Sequence, residues 1–152
     1  LSWKNLTFSA SFNYSLGADL YNYQRSIIES GSYFYNQTTS MLARWTHDGQ
    51  VTDVPRASFL DEMGNSRFSD RWIEDGSYLK LKNVTLSYRI PVQSAYLQGI
   101  TLWAAGNNLF TITKYLGSDP EFAQSNAVMG MGIDRGLLSP GRSFSLGVKI
   151  NL

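Results

Sequence analysis

The sequence predicts an all-β fold, namely an antiparallel segment of a transmembrane β-barrel whose long extracellular loops contain short helices. Strict alternation of apolar and polar residues in two stretches indicates strands with two different faces. Charged residues make up only 16% of the 152 residues and aromatic residues 14%, which fits an all-β protein that meets lipid or sugar. Long and short connections alternate between the expected strands, as in outer-membrane barrels.

The composition also limits the function. A net charge of +1 gives no reason to expect nucleic acid as a partner. Cysteine is absent, which excludes a disulfide framework, a thiolate zinc site and a cysteine nucleophile. His47 is the only histidine, so a Ser-His triad or a two-histidine metal site has little support. Pairs of carboxylates that are adjacent in the sequence, such as Asp61 and Glu62, lie near expected turns, and we interpret them as surface charge. We therefore expect no enzyme activity, no metal site and no cofactor.

The first main strand is expected near residues 2–16. Apolar and polar residues alternate without exception from Leu6 to Leu16. The polar face carries small hydroxyls and an amide, which suit a water-filled lumen, whereas an exposed face of a soluble sheet more often shows lysine and glutamate. We therefore expect the apolar face of this strand to contact lipid.

A long connection, residues 17–66, follows the first strand. Asp19 can cap a helix that ends at Gly31, and a second short helix is expected from Thr38 to Trp45. The aromatic residues of this connection have two interpretations, because they can stack on a substrate or pack the helices of the loop. The candidates for substrate contact are Tyr33, Tyr35 and Trp45.

A second main strand is expected near residues 67–90, although its alternation changes phase. The downstream half has apolar residues at even positions, whereas Leu79 and Leu81 occupy odd positions. This change indicates either a β-bulge near Lys82 or a strand that has left the lipid at that point. Lys80 and Lys82 occupy the apolar phase on the external half of this strand, so we expect both on the outer face, in contact with phosphates of the outer leaflet.

Two further strands are expected near residues 97–112 and 141–152. A short connection, residues 91–99, precedes the first of them, and a long glycine-containing loop, residues 113–140, precedes the second. The last strand alternates strictly, which is typical of the closing strand of an outer-membrane barrel or of the last strand of a soluble sandwich. With this strand ending in the periplasm, both long loops fall outside the cell.

The alternation assigns side chains to the two faces of the expected barrel wall. The residues expected to face the lumen are Thr7, Ser9, Ser11, Thr85 and Ser145. The residues expected to face lipid are Leu6, Phe8, Phe12, Val84, Leu86, Leu146 and Val148.

Four short sequences occur in order along the chain: DRWIEDGSYLKLKNVTLSY at 70–88, NNLFT at 107–111, YLGSDPE at 115–121 and PGRSF at 140–144. Together they resemble the C-terminal region of SusC/RagA-type TonB-dependent outer-membrane transporters. Similar short motifs surround Trp45 and Pro55, so the resemblance covers nearly the whole chain.

The resemblance implies that residues 1–152 form the last four strands of a transporter barrel in the outer membrane, and that the plug domain and remaining strands lie outside this chain. It implies import of oligosaccharides or peptides, a SusD-like surface lipoprotein as a lid, and energy from the TonB complex through an absent N-terminal region. The first residue, Leu1, and the lack of a signal peptide agree with a piece of a longer protein. A soluble all-β carbohydrate-binding module is the alternative, and an extracellular hydrolase domain is disfavoured because no catalytic constellation is evident.

The last strand also resembles the signal by which the barrel insertion machinery recognises its clients. The signal residues here are Phe144, Gly147, Ile150 and Leu152. Barrel proteins commonly end in an aromatic residue, so the terminal leucine departs from the pattern. We expect deletion of Leu152 to lower the amount of folded protein, and Leu152→Phe to leave it unchanged. The alternative is that the pattern merely reflects a strand facing lipid.

Overall fold

The computed structural model describes residues 1–92, 97–121 and 130–151. The chain divides into two compact units, one built from the strands and the other from the two long connections between them. The first unit contains residues 1–16, 77–114 and 139–152, and the second contains residues 17–76 and 115–138.

The first unit is a five-stranded antiparallel sheet. Numbered in chain order, its strands are β1 (Ser2–Trp3), β2 (Leu6–Ser15), β5 (Tyr78–Ile90), β6 (Gly99–Thr113) and β8 (Ser143–Asn151), and they lie in the order β1-β2-β5-β6-β8. The all-β prediction and the antiparallel pairing of neighbouring main strands are confirmed.

Two strand boundaries differ from the prediction. The stretch expected as one strand near 2–16 is a hairpin, because Trp3 pairs with Leu6 and Lys4 in the turn has a φ of 50°. The stretch expected near 67–90 forms its long strand only from Tyr78 onward. The preceding residues pair instead with a strand of the second unit, so a tertiary contact decides the boundary.

A β-bulge interrupts β5 at Lys82. Ser11 of β2 pairs with Asn83, whereas the next residue, Phe12, pairs with Leu81. The register of β5 against β6 shifts at the same point. The extra residue returns Leu81 to the face that carries Phe12. Of the two interpretations of the change in phase, the structure therefore agrees with the β-bulge, and the change no longer indicates that the strand leaves the lipid.

The second unit contains a three-stranded sheet whose central strand is the first of the three in the sequence. Strand β3 (Asp19–Asn22) is antiparallel to β4 (Ile73–Asp75) and parallel to β7 (Ile133–Asp134). Because β3 and β4 belong to the first long connection and β7 to the second, this pairing joins the two connections into one unit. Within the described residues of the first connection, 3₁₀ helices span Thr39–Ala43, Phe59–Asp61 and Asp70–Trp72.

The helices of this unit are shorter than predicted. Asp19 starts a strand, and helix α1 spans Tyr23–Ile28 with Asn22 as its N-cap, whose side chain accepts a hydrogen bond from the Arg25 backbone at 2.9 Å. The helix expected from Thr38 to Trp45 is the first 3₁₀ helix. Within the described residues, no helix has the length and hydropathy needed to cross a membrane.

Candidate functional site

One face of the five-stranded sheet is apolar across all of its long strands. Phe8 pairs with Leu86, Leu86 with Ala104, and Ala104 with Leu146, so these side chains share a face. Leu146 is 85% exposed, and most of its apolar neighbours are also exposed. An apolar surface of this extent is rare on soluble monomers. All seven residues expected to face lipid lie on this face, while the lipid contact itself stays a prediction.

The opposite face of the sheet is polar and internally hydrogen-bonded. Next to the bulge, the Asn83 amide donates to Asn107 at 2.8 Å, and the Asn107 amide donates to the Ser143 hydroxyl at 3.1 Å. The Thr85 hydroxyl donates to the Asn83 side-chain oxygen at 3.0 Å. The chain of contacts ties β5, β6 and β8 together on the face expected to line a lumen.

The structure corrects the expected position of Lys80. This residue pairs with Asn13 and Thr111, which places it on the polar face, and it is 2% exposed. The expectation of an outer face for Lys80 is wrong because it counts the alternation straight through the bulge, while a contact of Lys82 with the outer leaflet stays a prediction. Lys82 is the extra residue of that bulge, and the strand register assigns it to neither face.

Three of the four residues expected to form an assembly signal have defined positions in the sheet. Phe144 and Ile150 lie on the apolar face, paired with Gly106 and Ile100 respectively. Gly147 lies on the polar face opposite Trp103, and a Cβ atom at this position would overlap the indole ring. Packing against Trp103 therefore explains why position 147 is a glycine, and the sequence pattern did not reveal this contact. Leu152 lies outside the described residues.

The second unit is held by an ion network around Arg25. Its guanidinium contacts Glu29 and Glu74, each at 2.9 Å. The other carboxylate oxygen of Glu74 accepts the Leu116 backbone amide at 2.9 Å, which links the two connections. Trp72 is fully buried, and the Arg25 guanidinium carbon lies 5.6 Å from its ring centroid. Arg25 and Glu29 are four residues apart, but Glu74 and Leu116 are distant along the chain, so the sequence did not mark the network as a whole.

The local environment changes the acidity of several groups in this unit. Burial alone lowers the pKa of Arg25, but hydrogen bonds and attraction from Glu74 and Glu29 raise it above its ordinary value. Burial lowers the pKa of Arg71. Burial and the hydrogen bond to the Asp134 carboxylate raise the pKa of Tyr115 far above its ordinary value, so this phenol stays protonated.

The three candidates for substrate contact do not form one cluster. The rings of Tyr33 and Tyr35 have centroids 5.5 Å apart, and both side chains are exposed. Trp45 donates its backbone amide to Val54 at 2.9 Å. No ring contact joins Trp45 to the two tyrosines within residues 17–76 as described. The tyrosine pair is available for stacking, and substrate contact stays a prediction.

A cavity of about 470 Å³ lies within the second unit. Polar side chains of α1 and the first 3₁₀ helix form one part of its wall, and the segments around Leu116 and Asp134 form the other. Gly136 has a φ of 87° and lies against Gln24 in the cavity wall. A Cβ atom at this position would lie only 2.9 Å from the Gln24 amide oxygen, so a larger residue would crowd the wall. The volume is in the range of small-molecule sites.

Known proteins resemble this chain over almost all of its length. No protein-family profile matches it. TonB-dependent receptor P3 of Formosa agariphila is 32% identical over 158 residues, which cover 99% of this chain and 15% of the receptor. TonB-dependent receptor P26 of the same organism is 28% identical over 157 residues, covering 99% of the chain and 16% of that receptor.

Solved structures agree with these sequence relatives. The RagAB peptide importer in its open-open state has a TM-score of 0.81 and 28% identity, covering 99% of this chain and 16% of the importer chain. Its closed-closed state gives a TM-score of 0.80 over 98% of the chain. The fold and these similarities define the class as barrel-type TonB-dependent transporters. Within that class, the chain is a SusC/RagA-like transporter segment.

Proposed function

We propose that this chain supplies part of the barrel wall and two external loops of an outer-membrane importer, which takes up oligosaccharides or peptides with energy from TonB. The observation that carries the proposal is the exposed apolar face of the sheet, which is opposed by a hydrogen-bonded polar face. This arrangement suits a wall with lipid on one side and water on the other. The relatives are named as receptors and a peptide importer, which supports transport rather than an enzyme activity.

The chain spans about 15% of the length of the receptor that it matches, so other parts of the transporter have to supply the remaining functions. We propose that an N-terminal region carries the plug and contacts TonB, and that further strands close the barrel. A SusD-like lipoprotein is the proposed lid, as the resemblance to SusC/RagA-type transporters implies. The barrel insertion machinery is the proposed partner of the last strand.

Uptake by cells that produce the full-length transporter tests this function. Labelled peptide and oligosaccharide mixtures should accumulate in the periplasm, and removal of TonB should abolish accumulation while surface binding persists. Equal accumulation with and without TonB would contradict the proposal. Isolation gives a second criterion: the transporter should require detergent, whereas a soluble carbohydrate-binding module should stay monodisperse in plain buffer.

A further inference from the structure

We infer that the cavity in the second unit binds a cationic group of a peptide substrate, namely an ammonium or guanidinium on an aliphatic stem. The inference rests on the proposed import function and names its substrate class. It concerns a binding site within the two connections, because the described residues that line the cavity belong to residues 17–76 and 115–138.

The strongest support is the Asp134 carboxylate, which lines the cavity and is 4% exposed. One of its oxygens accepts the Gly136 amide at 2.7 Å and the other accepts the Tyr115 hydroxyl. Among the described residues, no lysine or arginine forms an ion pair with Asp134. A buried carboxylate that has hydrogen bonds but no cation is under-compensated, and a ligand cation restores the balance.

The other charged groups of the cavity wall reinforce this preference. Glu29 accepts Arg25 on one oxygen and the Thr38 hydroxyl on the other, each at 2.9 Å. Arg25 is shared with Glu74, so its single charge is divided between two carboxylates. The wall therefore presents Glu29 and Asp134 against one arginine that is already engaged, and an anionic ligand is disfavoured.

The apolar part of the wall selects the stem that carries the cation. It is formed by the aliphatic side chains of Ile28, Leu116, Leu137 and Leu138. The described lining includes no aromatic ring on which a sugar could stack, whereas an alkyl chain can lie along leucine and isoleucine. An aliphatic surface beside a buried carboxylate matches a lysine or arginine side chain, or an amino-terminal residue, better than a neutral saccharide.

Calorimetry on the purified full-length transporter in detergent tests the inference with three tripeptides. The first is N-acetyl-Ala-Lys-Ala-amide, and the second replaces lysine with norleucine, which keeps the stem and removes the charge. The third is Ala-Ala-Ala-amide with a free amino terminus, which distinguishes a terminal ammonium from a side-chain one. We expect at least one cationic peptide to bind about tenfold more tightly than the norleucine peptide.

Two variants locate the binding at the cavity. Asp134→Asn removes the charge with little change in shape, and Ser118→Lys adds a cation on an exposed position of the rim while leaving the Asp134 contacts intact. We expect both to lower the affinity for the cationic peptide about tenfold and to leave the norleucine peptide within about twofold. Asp48→Asn, in an exposed turn outside the cavity, makes the same change of charge as a control.

The outcomes separate this inference from the proposed function. Equal binding of the lysine, norleucine and free-amine peptides overturns the cation site, and so does an Asp48→Asn effect as large as that of Asp134→Asn. Neither result contradicts the proposed function if the norleucine peptide still accumulates in cells in a TonB-dependent way. Loss of all TonB-dependent uptake instead overturns the proposed function, whatever the calorimetry shows.

Discussion

The two units of the chain place their apolar side chains in opposite ways. In the five-stranded sheet one face is apolar and exposed, and Leu146 is 85% exposed. In the second unit Trp72 is the largest of the fully buried side chains, and Met41 and Tyr115 are buried as well. The second unit also encloses charge, since Glu29 lies inside beside Arg25.

This difference indicates what stabilises each unit. The second unit has a core of its own, so its stability depends on internal packing and on completed ion contacts. The sheet has one apolar face that the described part of the chain leaves exposed, so its stability depends on the medium that covers that face. Substitutions should therefore respond to lipid in the sheet and to packing in the second unit.

Trp72→Ala gives the largest expected effect. Because the indole is fully buried and Arg25 and Arg71 lie against its ring, its removal should lower the free energy of unfolding of the second unit by about 3–5 kcal/mol. Hydrogen exchange of the α1 amides in the full-length transporter measures this change. The control is Phe34→Ala, whose side chain is 96% exposed and should change exchange little. Equal protection in both variants would show that the second unit has no core.

Leu146→Arg tests the sheet. At mid-bilayer depth this change on the apolar face should cost about 2–4 kcal/mol, and Phe12→Arg should behave alike. Ser11→Arg on the polar face should cost less, because that face is hydrated. Urea unfolding of the transporter in lipid bilayers measures the three variants. Equal costs on both faces would contradict the assignment of the apolar face to lipid.

The sequence was sufficient for the faces of the sheet because alternation is a local property. A period of two determines which side chains share a face once a strand forms, and Phe8, Leu86 and Leu146, which were expected on one face, share a face in the structure. The position of Lys80 could not be derived, since the bulge at Lys82 was only one of two interpretations of the same change in phase.

The second unit was beyond local reasoning. Asp19 was expected to cap a helix, but its segment pairs with Ile73–Asp75 and with Ile133–Asp134, which lie far away in the sequence. The burial of Asp134 against Tyr115 likewise depends on how the two connections meet. Propensity favoured a helix at Asp19, and tertiary pairing overrode it.

Gly147→Val should have a smaller effect than the arginine substitutions. The added side chain would overlap Trp103 and force the indole away, at a cost of about 1–3 kcal/mol. Trp103→Ala should remove most of this penalty, so the double variant should be more stable than the sum of the single effects predicts. Urea unfolding in lipid measures the cycle, with Ser145→Ala as the control. If the effects of Gly147→Val and Trp103→Ala on stability are additive, the contact with Trp103 does not explain the glycine, and only the proposed assembly role remains.

The smallest expected effect concerns acid and the loop at Asp61. Its carboxylate accepts the Asn65 amide at 2.6 Å and the backbone amide and hydroxyl of Ser66. Burial alone raises the pKa of Asp61, but these hydrogen bonds lower it below its ordinary value. A lowered folded-state pKa means that the stabilisation is present above the unfolded value of about 3.9 and is lost as pH falls through the folded pKa. Protection of the Asn65 and Ser66 amides, corrected for intrinsic exchange, should therefore fall in acid in the parent transporter. Asp61→Asn should already be less protected at neutral pH and should lose little further protection in acid. The exposed control Asp48→Asn should keep the pH profile of the parent transporter. If Asp61→Asn loses as much protection in acid as the parent does, the titration of another group causes that loss.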